Sequence, residues 1–363
     1  MQSTLFPQYV EKYLGPIARG IVKKINDKKD PPGYLFKEFF KKKSEPSLKF
    51  ESITGRNSIV SADVVATDSE LPLKKRDTLA KSTGNIPKIG MKMQLRESEM
   101  LNIKILRASG QNSNVSEQIA QLLFSDVKKC IEGVYSKLEY MALEALSTGV
   151  MEVSSDNNTG ISNRIEFGIP SKNRFGAALK WNDPKAKPLD DIEKVVEAAR
   201  KNGDKITTVL MRPEQFNQFK RNEQVKARYG ALLNLMPGNS IVPSVSKVNE
   251  FLLEDFRLKI ELIDSFVRIE KNGKQSSVCP WEEGKVLFSS GKEFGELVYG
   301  APSEEDYPAS WVKYEKIDDY MLISKFSRVD PLVEFTTVQA YALPVLNNVE
   351  SLYQFNALDT KWA

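Results

Sequence analysis

The chain has 363 residues, of which 41% are hydrophobic and 28% charged, and its formal net charge is +4. These values fit a globular protein of one large or two smaller domains and give no electrostatic argument for nucleic-acid binding. Histidine is absent, and Cys130 and Cys279 lack CxxC spacing. The composition therefore excludes imidazole-based catalytic dyads, imidazole metal sites and cysteine-rich zinc sites.

The N-terminal sequence, residues 1–19, lacks the basic start and apolar core of a signal peptide. No run of about 18 apolar residues occurs, so no segment is expected to span a membrane. Two isolated cysteines fit a reducing compartment. We expect the protein to be made and kept in a cytoplasm.

The first elements predicted are helical. Apolar residues at spacings of three and four predict a helix over residues 3–26, interrupted at Gly15-Pro16, where Pro16 starts a second short helix. After a turn, residues 34–43 combine aromatic rings with lysines. This segment is too short to form a core, so its rings should pack against something else, such as a neighbouring subunit. Its lysines and the run Lys74-Lys75-Arg76 could contact phosphates non-specifically; a solvated face or an acidic patch on a neighbour is the alternative.

Strands are predicted within residues 46–66, and a polar, lysine-rich stretch follows. Period-two alternation returns at 88–95, which indicates a strand with one buried face. We interpret residues 60–100 as an extended hairpin that projects from the body. Such a hairpin has no core of its own, so a partner should stabilise it.

The clearest predicted element is a long helix over residues 114–148. Asn114 and Glu117 fit a capping box, apolar residues from Ile119 to Leu146 mark one face, and Gly149 ends the helix. Cys130 falls on that face and should be a small buried hydrophobe. The apolar spacing drifts, which favours a helix that lies along a sheet over a coiled coil.

The remaining chain alternates helices with short strands. The predicted helices are 191–202, capped by Asp190-Asp191, and 213–222. The predicted strands are 164–167, 206–211, 251–253, 258–264, 267–270, 285–288, 320–323 and 332–344. Asn272-Gly273 favours a tight hairpin turn, and Pro344 is expected to end the last strand.

No P-loop, dinucleotide-binding or nucleophile-elbow motif occurs. The acidic pairs Asp190-Asp191, Glu282-Glu283, Glu304-Glu305 and Asp318-Asp319 could suggest a divalent cation or general acid–base catalysis. Adjacent residues point in different directions, however, so a tandem pair is a poor chelate. We interpret them as a helix cap and solvated turns. We predict no catalytic, cofactor-binding or metal-binding residue, no cofactor and no enzymatic activity.

Several phrases, in their order and spacing, resemble the lambda-type major capsid proteins of tailed bacteriophages, the phage capsid protein E family. The resemblance covers roughly residues 50–350. The phrases are Ala145-Leu-Ser-Thr-Gly149, Arg164-Ile-Glu-Phe-Gly-Ile-Pro170, Trp181 leading to Asp190-Asp191-Ile192, Gly295-Glu-Leu-Val-Tyr-Gly-Ala-Pro302, and Ser327-Arg-Val-Asp-Pro331 with Gln339-Ala-Tyr-Ala-Leu-Pro344.

The resemblance implies an α+β chain with the Hong-Kong-97-type phage capsid fold. Its parts would be an N-terminal arm (1–48), an extended β-hairpin loop (49–112), a peripheral domain with the spine helix (113–184), an axial domain (185–310) and a C-terminal return to the peripheral domain (311–363).

The implied function is that of a major capsid protein that assembles with itself, as homo-hexamers and homo-pentamers, into the icosahedral procapsid around the double-stranded DNA genome. Portal, scaffold and decoration proteins are further implied partners, with non-specific contact to packaged DNA and none to a membrane. The protein would be assembled in the cytoplasm of the bacterial host and reside in the virion. The alternatives are an encapsulin-like nanocompartment shell protein and a soluble α/β enzyme.

Overall fold

The computed structural model describes residues 1–27, 33–54, 80–108, 113–154, 162–234, 241–271 and 273–361. Its helices are α1 (Pro7–Asn26), α2 (Phe36–Phe39), α3 (Glu97–Ala108), α4 (Ser113–Thr148), α5 (Pro188–Lys201), α6 (Pro213–Arg221), α7 (Glu223–Leu232) and α8 (Val245–Phe256). Its strands are β1 (Phe40–Ser44), β2 (Lys49–Thr54), β3 (Ala80–Asn85), β4 (Lys88–Arg96), β5 (Val150–Ser154), β6 (Ser162–Glu166), β7 (Arg174–Gly176), β8 (Thr208–Met211), β9 (Lys259–Leu262), β10 (Val267–Lys271), β11 (Lys274–Val278), β12 (Lys285–Ser289), β13 (Gly295–Gly300), β14 (Lys313–Ile317), β15 (Met321–Arg328), β16 (Val333–Leu346) and β17 (Tyr353–Asn356).

Strand β16 is the centre of a six-stranded sheet with the order β1, β13, β16, β15 and β14, in which β4 also pairs with β16. β15 and β4 both run antiparallel to β16, so that Phe335 lies opposite Phe326 in one strand and Gln94 in the other. Most of β16 is buried. Burial on both faces explains its run of β-branched and aromatic residues.

Helix α4 lies along this sheet. It has 36 residues, which corresponds to about 54 Å. The Sγ of Cys130 lies 3.9 Å from the Thr336 carbonyl oxygen of β16, and a Cβ on Gly133 would meet Met91 of β4. Gly149 follows the helix with a φ of +77°, a left-handed conformation that favours glycine. The predicted long helix, its glycine stop and the burial of Cys130 are confirmed; the Asn114 side chain of the predicted capping box lies outside the described residues.

A second apolar core surrounds a five-stranded sheet with the order β7, β17, β12, β8 and β9. The Trp181 ring packs 5.4 Å from Phe219 of α6 and 5.3 Å from Phe355 of β17, measured between ring centroids. Its indole N–H donates to the Asp191 carboxylate at 3.0 Å. The predicted Asp190-Asp191 cap is therefore wrong: α5 begins at Pro188, and Asp191 fixes the loop that precedes it.

Three further predictions need correction. α1 continues through Pro16, because its buried stripe packs against the core and tertiary packing outweighs the local helix-breaking effect of proline. Residues 251–253 were predicted as a strand but lie in α8. The prediction failed because a short apolar run does not by itself distinguish a strand from a helix. β16 extends past Pro344 to Leu346, because the backbone angles that proline favours are compatible with a strand.

The predicted hairpin is partly confirmed. β2 pairs antiparallel with β3, from Lys49 opposite Asn85 to Thr54 opposite Ala80, and residues 55–79 lie outside the described residues. The predicted end of the hairpin at residue 100 is wrong. β4 joins the six-stranded sheet instead, because its alternating apolar residues pack against the first core, and α3 follows it. The predicted β10–β11 hairpin is confirmed, with Gly273 at a φ of +72°.

Candidate assembly surfaces

The first residues of the chain are tied to the six-stranded sheet of the same chain. Gln2 and Ser327 exchange two backbone hydrogen bonds of 2.9 and 3.0 Å. The Leu5 amide donates to Glu334 Oε2 at 3.0 Å, and the Thr4 hydroxyl donates to the other oxygen of the same carboxylate. The N-terminus thus closes over a buried acid of β16.

Lys325 of β15 is buried in the same region as Glu334. Its ammonium donates to the Leu123 carbonyl oxygen of α4 at 2.9 Å. Both side chains are buried. Burial raises the pKa of Glu334 and lowers the pKa of Lys325, although each group opposes the shift of the other. Withdrawing residues 2–5 would leave the Glu334 carboxylate without the two donors that satisfy it, which is costly inside a protein.

The aromatic rings of residues 34–43 are also buried within the same chain. Tyr34 and Phe36 pack on Tyr135 of α4 with ring centroids 5.3 and 6.0 Å apart, and Phe39 meets Phe294 edge-on at 5.1 Å. The expectation that these rings pack against something else is confirmed, and what they pack against is their own chain, not the neighbouring subunit that the sequence suggested as an example. We call residues 1–27 and 33–48 the arm. Its apolar side chains pack within its own chain, and nothing in the sequence of the arm indicates these partners.

A buried acid of α4 fixes the same segment. Glu139 accepts the Phe36 amide and the Ser265 hydroxyl, both at 2.9 Å. Burial raises the pKa of Glu139, although both hydrogen bonds favour its charged form. β1 then continues the arm as a parallel partner of β13, from Phe40 opposite Gly295 to Ser44 opposite Tyr299.

The lysines of this segment contact acids of their own chain. Lys37 and Lys42 lie 2.9 and 2.8 Å from the Asp318 carboxylate, and Lys42 also reaches Asp319 at 2.7 Å. Lys41 pairs with Glu293 and Lys43 with Glu296, at 2.6 and 2.8 Å. These ion pairs weaken the case for phosphate contact by this cluster. The run Lys74-Lys75-Arg76 lies outside the described residues.

Asp318 is the centre of this network. The Tyr135 hydroxyl donates to it at 2.5 Å, and the Lys37 ammonium lies 3.8 Å above the Tyr135 ring. Burial alone would raise the pKa of Asp318, but Lys37, Lys42 and the Tyr135 hydroxyl outweigh burial and hold it below its ordinary value. The pKa of Lys37 is lowered, because its burial outweighs the attraction of Asp318.

The other acidic pairs also contact cations or backbone groups. In the pair Glu304-Glu305, Glu304 lies 3.3 Å from Lys88 and Glu305 lies 2.7 Å from Lys316. Glu282 lies 3.6 Å from Lys285. Across the described ranges, no group of three or more acids or cysteines is arranged to hold a metal ion. Burial raises the pKa of the Cys130 thiol to about 12, which leaves it a poor nucleophile.

Exposed apolar side chains mark other parts of the surface. Leu101 and Ile105 of α3 are 54% and 66% exposed. Leu253 of α8 and Phe266 before β10 are also exposed, and the exposed Tyr307 lies on the segment between β13 and β14. Among the helices that the structure describes, none has the length and apolar character needed to cross a bilayer.

The family model described as phage major capsid protein E matches residues 18–357. The chain belongs to the phage major capsid protein E family. It is accordingly a shell-forming capsid protein, as the resemblance implied, and the family match does not favour the encapsulin-like alternative. No curated protein sequence matches the chain significantly.

One solved structure supports the Hong-Kong-97-type capsid fold, and two others are similar to the chain. A candidate prophage capsid protein from E. coli CFT073 superposes with a TM-score of 0.57 at 13% identity, over 98% of this chain and 99% of that one. A phage-related protein from Bordetella bronchiseptica RB50 gives 0.49 at 11% identity, over 94% and 97% of the two chains. The capsid asymmetric unit of cyanophage A-1(L) gives 0.49 at 11% identity, over 91% and 95%.

Proposed function

We propose that the chain builds the icosahedral procapsid of a tailed phage, as homo-hexamers and homo-pentamers that enclose double-stranded DNA. The observation that carries this proposal is the family match over residues 18–357. The apolar side chains left exposed on α3, on α8 and before β10 give a single subunit several places at which to bury further surface against copies of itself.

The proposed domains follow the two cores. The first core would be the peripheral domain, with α4 as its spine, and the second core the axial domain at 185–310. Three strands cross these bounds. β7 lies within 113–184 yet pairs with β17 of the second sheet. β13 lies within 185–310 yet pairs with β16 of the first sheet, and β17 lies within 311–363 yet pairs with β12 of the second. The two domains would therefore be joined by exchanged strands as well as by the chain connections.

We propose no enzymatic activity for this chain. Histidine is absent, and among the candidate acids Asp318 and Asp319 contact lysines and Asp191 contacts an indole N–H. Portal, scaffold and decoration proteins would be further partners. Contact with packaged DNA would be non-specific and sensitive to salt. Assembly in the host cytoplasm would precede residence in the virion.

Expression of the chain alone tests this function. We expect closed particles of uniform diameter in negative-stain electron microscopy, with a sedimentation coefficient far above that of a 41.0 kDa monomer. Particles that package cellular protein selectively would favour the nanocompartment alternative. A chain that stays monomeric at all concentrations and salt conditions would contradict the proposal.

A further inference from the structure

Residues 1–5, which we call the strap, cover the buried Glu334 of β16. Its carboxylate accepts the Leu5 amide at 3.0 Å and the Thr4 hydroxyl. Within the strap only Thr4 is buried, and the other four residues are exposed. Hydrogen bonds therefore hold the strap more than apolar packing does, and a segment with few buried apolar contacts can open locally while the rest of the chain stays folded.

Lys325 lies beside Glu334 but binds another group. In the register of β15 with β16, Ser327 is directly opposite Glu334, and Lys325 precedes Ser327 by two positions. Because residues two apart on a strand share a face, Lys325 and Glu334 are diagonal neighbours on the same side of the sheet. The Lys325 ammonium nevertheless donates to the Leu123 carbonyl oxygen of α4 at 2.9 Å.

The charges of Glu334 and Lys325 attract each other without forming an ion pair in the described part of the chain. Glu334 is bound by two donors of the strap, and Lys325 is bound by a backbone carbonyl. A buried charge is normally compensated by an opposite charge. Asp126 of α4 also attracts the Lys325 ammonium, but it already lies 3.4 Å from Lys129. The strap thus keeps apart two charges that would otherwise pair.

Release of the strap changes this balance. Glu334 loses both of its donors, and an unsatisfied carboxylate inside a protein is costly. Diagonal neighbours on two strands are within reach of long side chains, so the Lys325 ammonium can meet the Glu334 carboxylate. Because the ammonium is bound to α4 while the strap is docked, this ion pair requires that it leave the Leu123 carbonyl oxygen.

We propose that the strap, Glu334 and Lys325 form a two-position switch. When the strap is docked, Glu334 binds the strap and Lys325 binds α4. When the strap is released, Lys325 pairs with Glu334, and α4 loses its contact at the Leu123 carbonyl. The position of the strap is thereby transmitted to the long helix. The switch operates within a single subunit, so it goes beyond the proposed shell function and does not depend on it.

A first test follows an amide of α4. In the regular helix pattern the Val127 amide donates to the Leu123 carbonyl oxygen. Leu5→Pro removes the amide that binds Glu334, and Leu5→Ala is the matched control, because it shortens the same exposed side chain and keeps the amide. Hydrogen exchange at Val127 should be about tenfold faster in Leu5→Pro than in the control, since hydrogen bonds to charged groups are among the stronger ones in proteins.

The Ala145 amide, near the other end of α4, is the internal reference and should exchange equally in both variants. An equal acceleration at Val127 and Ala145 would show general destabilisation, and no acceleration at Val127 would show that the ammonium stays on α4. Either result would overturn the switch. Thr4→Val removes the other donor and should give the same pattern with a smaller acceleration, so the test does not depend on the folding of Leu5→Pro.

A second test measures the coupling between the two charges. A double-mutant cycle with Lys325→Met and Glu334→Gln gives this coupling as a ratio of unfolding equilibrium constants from urea denaturation. The coupling should be about tenfold larger in the Leu5→Pro background than in the Leu5→Ala background, because the direct ion pair forms only after the strap is released. Equal coupling in the two backgrounds would show that the charges do not exchange partners and would overturn the proposal.

Discussion

The arm and helix α3 are opposites in how they use their apolar residues. The arm has the sequence of a segment that needs a partner, yet its rings and its two ends are fixed to its own subunit by Tyr135, Glu139 and Glu334. α3 is bound to the body on one side and leaves Leu101 and Ile105 exposed on the other. An assembly surface is therefore identified by what the folded subunit leaves uncovered, and an aromatic, basic sequence is not sufficient.

The largest expected contrast is in subunit stability. Phe36→Ala should lower the free energy of unfolding by about 3–5 kcal/mol, because a fully buried ring leaves a cavity. Ile105→Ala should change it by less than about 0.5 kcal/mol in the dissociated subunit, since the side chain is exposed there. Urea denaturation at low protein concentration measures both. Equal effects of the two substitutions would contradict the distinction between arm and α3.

The next contrast lies within the lysines of the arm. Asp318→Asn should lower the free energy of unfolding by about 3 kcal/mol, because it leaves the partly buried Lys37 without its counter-charge. Asn also tolerates the left-handed backbone at this position, where φ is 51°. Lys41→Ala should cost at most about 1 kcal/mol, as its pair with Glu293 is exposed. If Asp318→Asn unfolded no more easily than Lys41→Ala, the buried network would not be what fixes the arm.

A smaller effect concerns pH. The pKa of Glu139 is raised in the folded chain, so its contribution to stability is full below its ordinary pKa of about 4.3 and is lost as pH rises through the folded pKa. Asp318 has the opposite sign: its contribution is present above about 3.9 and is lost as pH falls through its depressed folded pKa. Glu139→Gln should therefore flatten the decline in unfolding free energy above pH 4.3. If the unfolding free energies of wild type and variant change in parallel with pH, Glu139 is not the source of the decline.

The sequence predicted the regular parts of the molecule well. α4 and β16 have long, periodic apolar patterns that survive in the structure because each packs against the other. Residues 251–253 were predicted wrongly, since three consecutive apolar residues carry no period. The predicted interruption of the helix at Pro16 was wrong, because burial of the apolar face of α1 outweighs the local helix-breaking preference of proline.

Helix α3 was not predicted from the sequence, and the positions of its apolar residues explain why. Its apolar residues, Met100, Leu101, Ile103, Ile105 and Leu106, lie on both faces, so they give no single amphipathic period. The anchoring of the arm could not be predicted either, because Glu139 and Glu334 are separated from their partners by 103 and 329 residues or more. Neither acid has a local sequence signal that distinguishes it from a surface glutamate.

A cryo-electron microscopy map of particles assembled from the wild-type chain would test the central claim most directly. The account predicts that residues 2–5 contact Glu334 of their own subunit, as in the isolated chain, and that the outer face of α3 is covered by a neighbouring subunit. A map in which the arm is seated on a neighbouring subunit, while Leu101 and Ile105 face solvent, would contradict it.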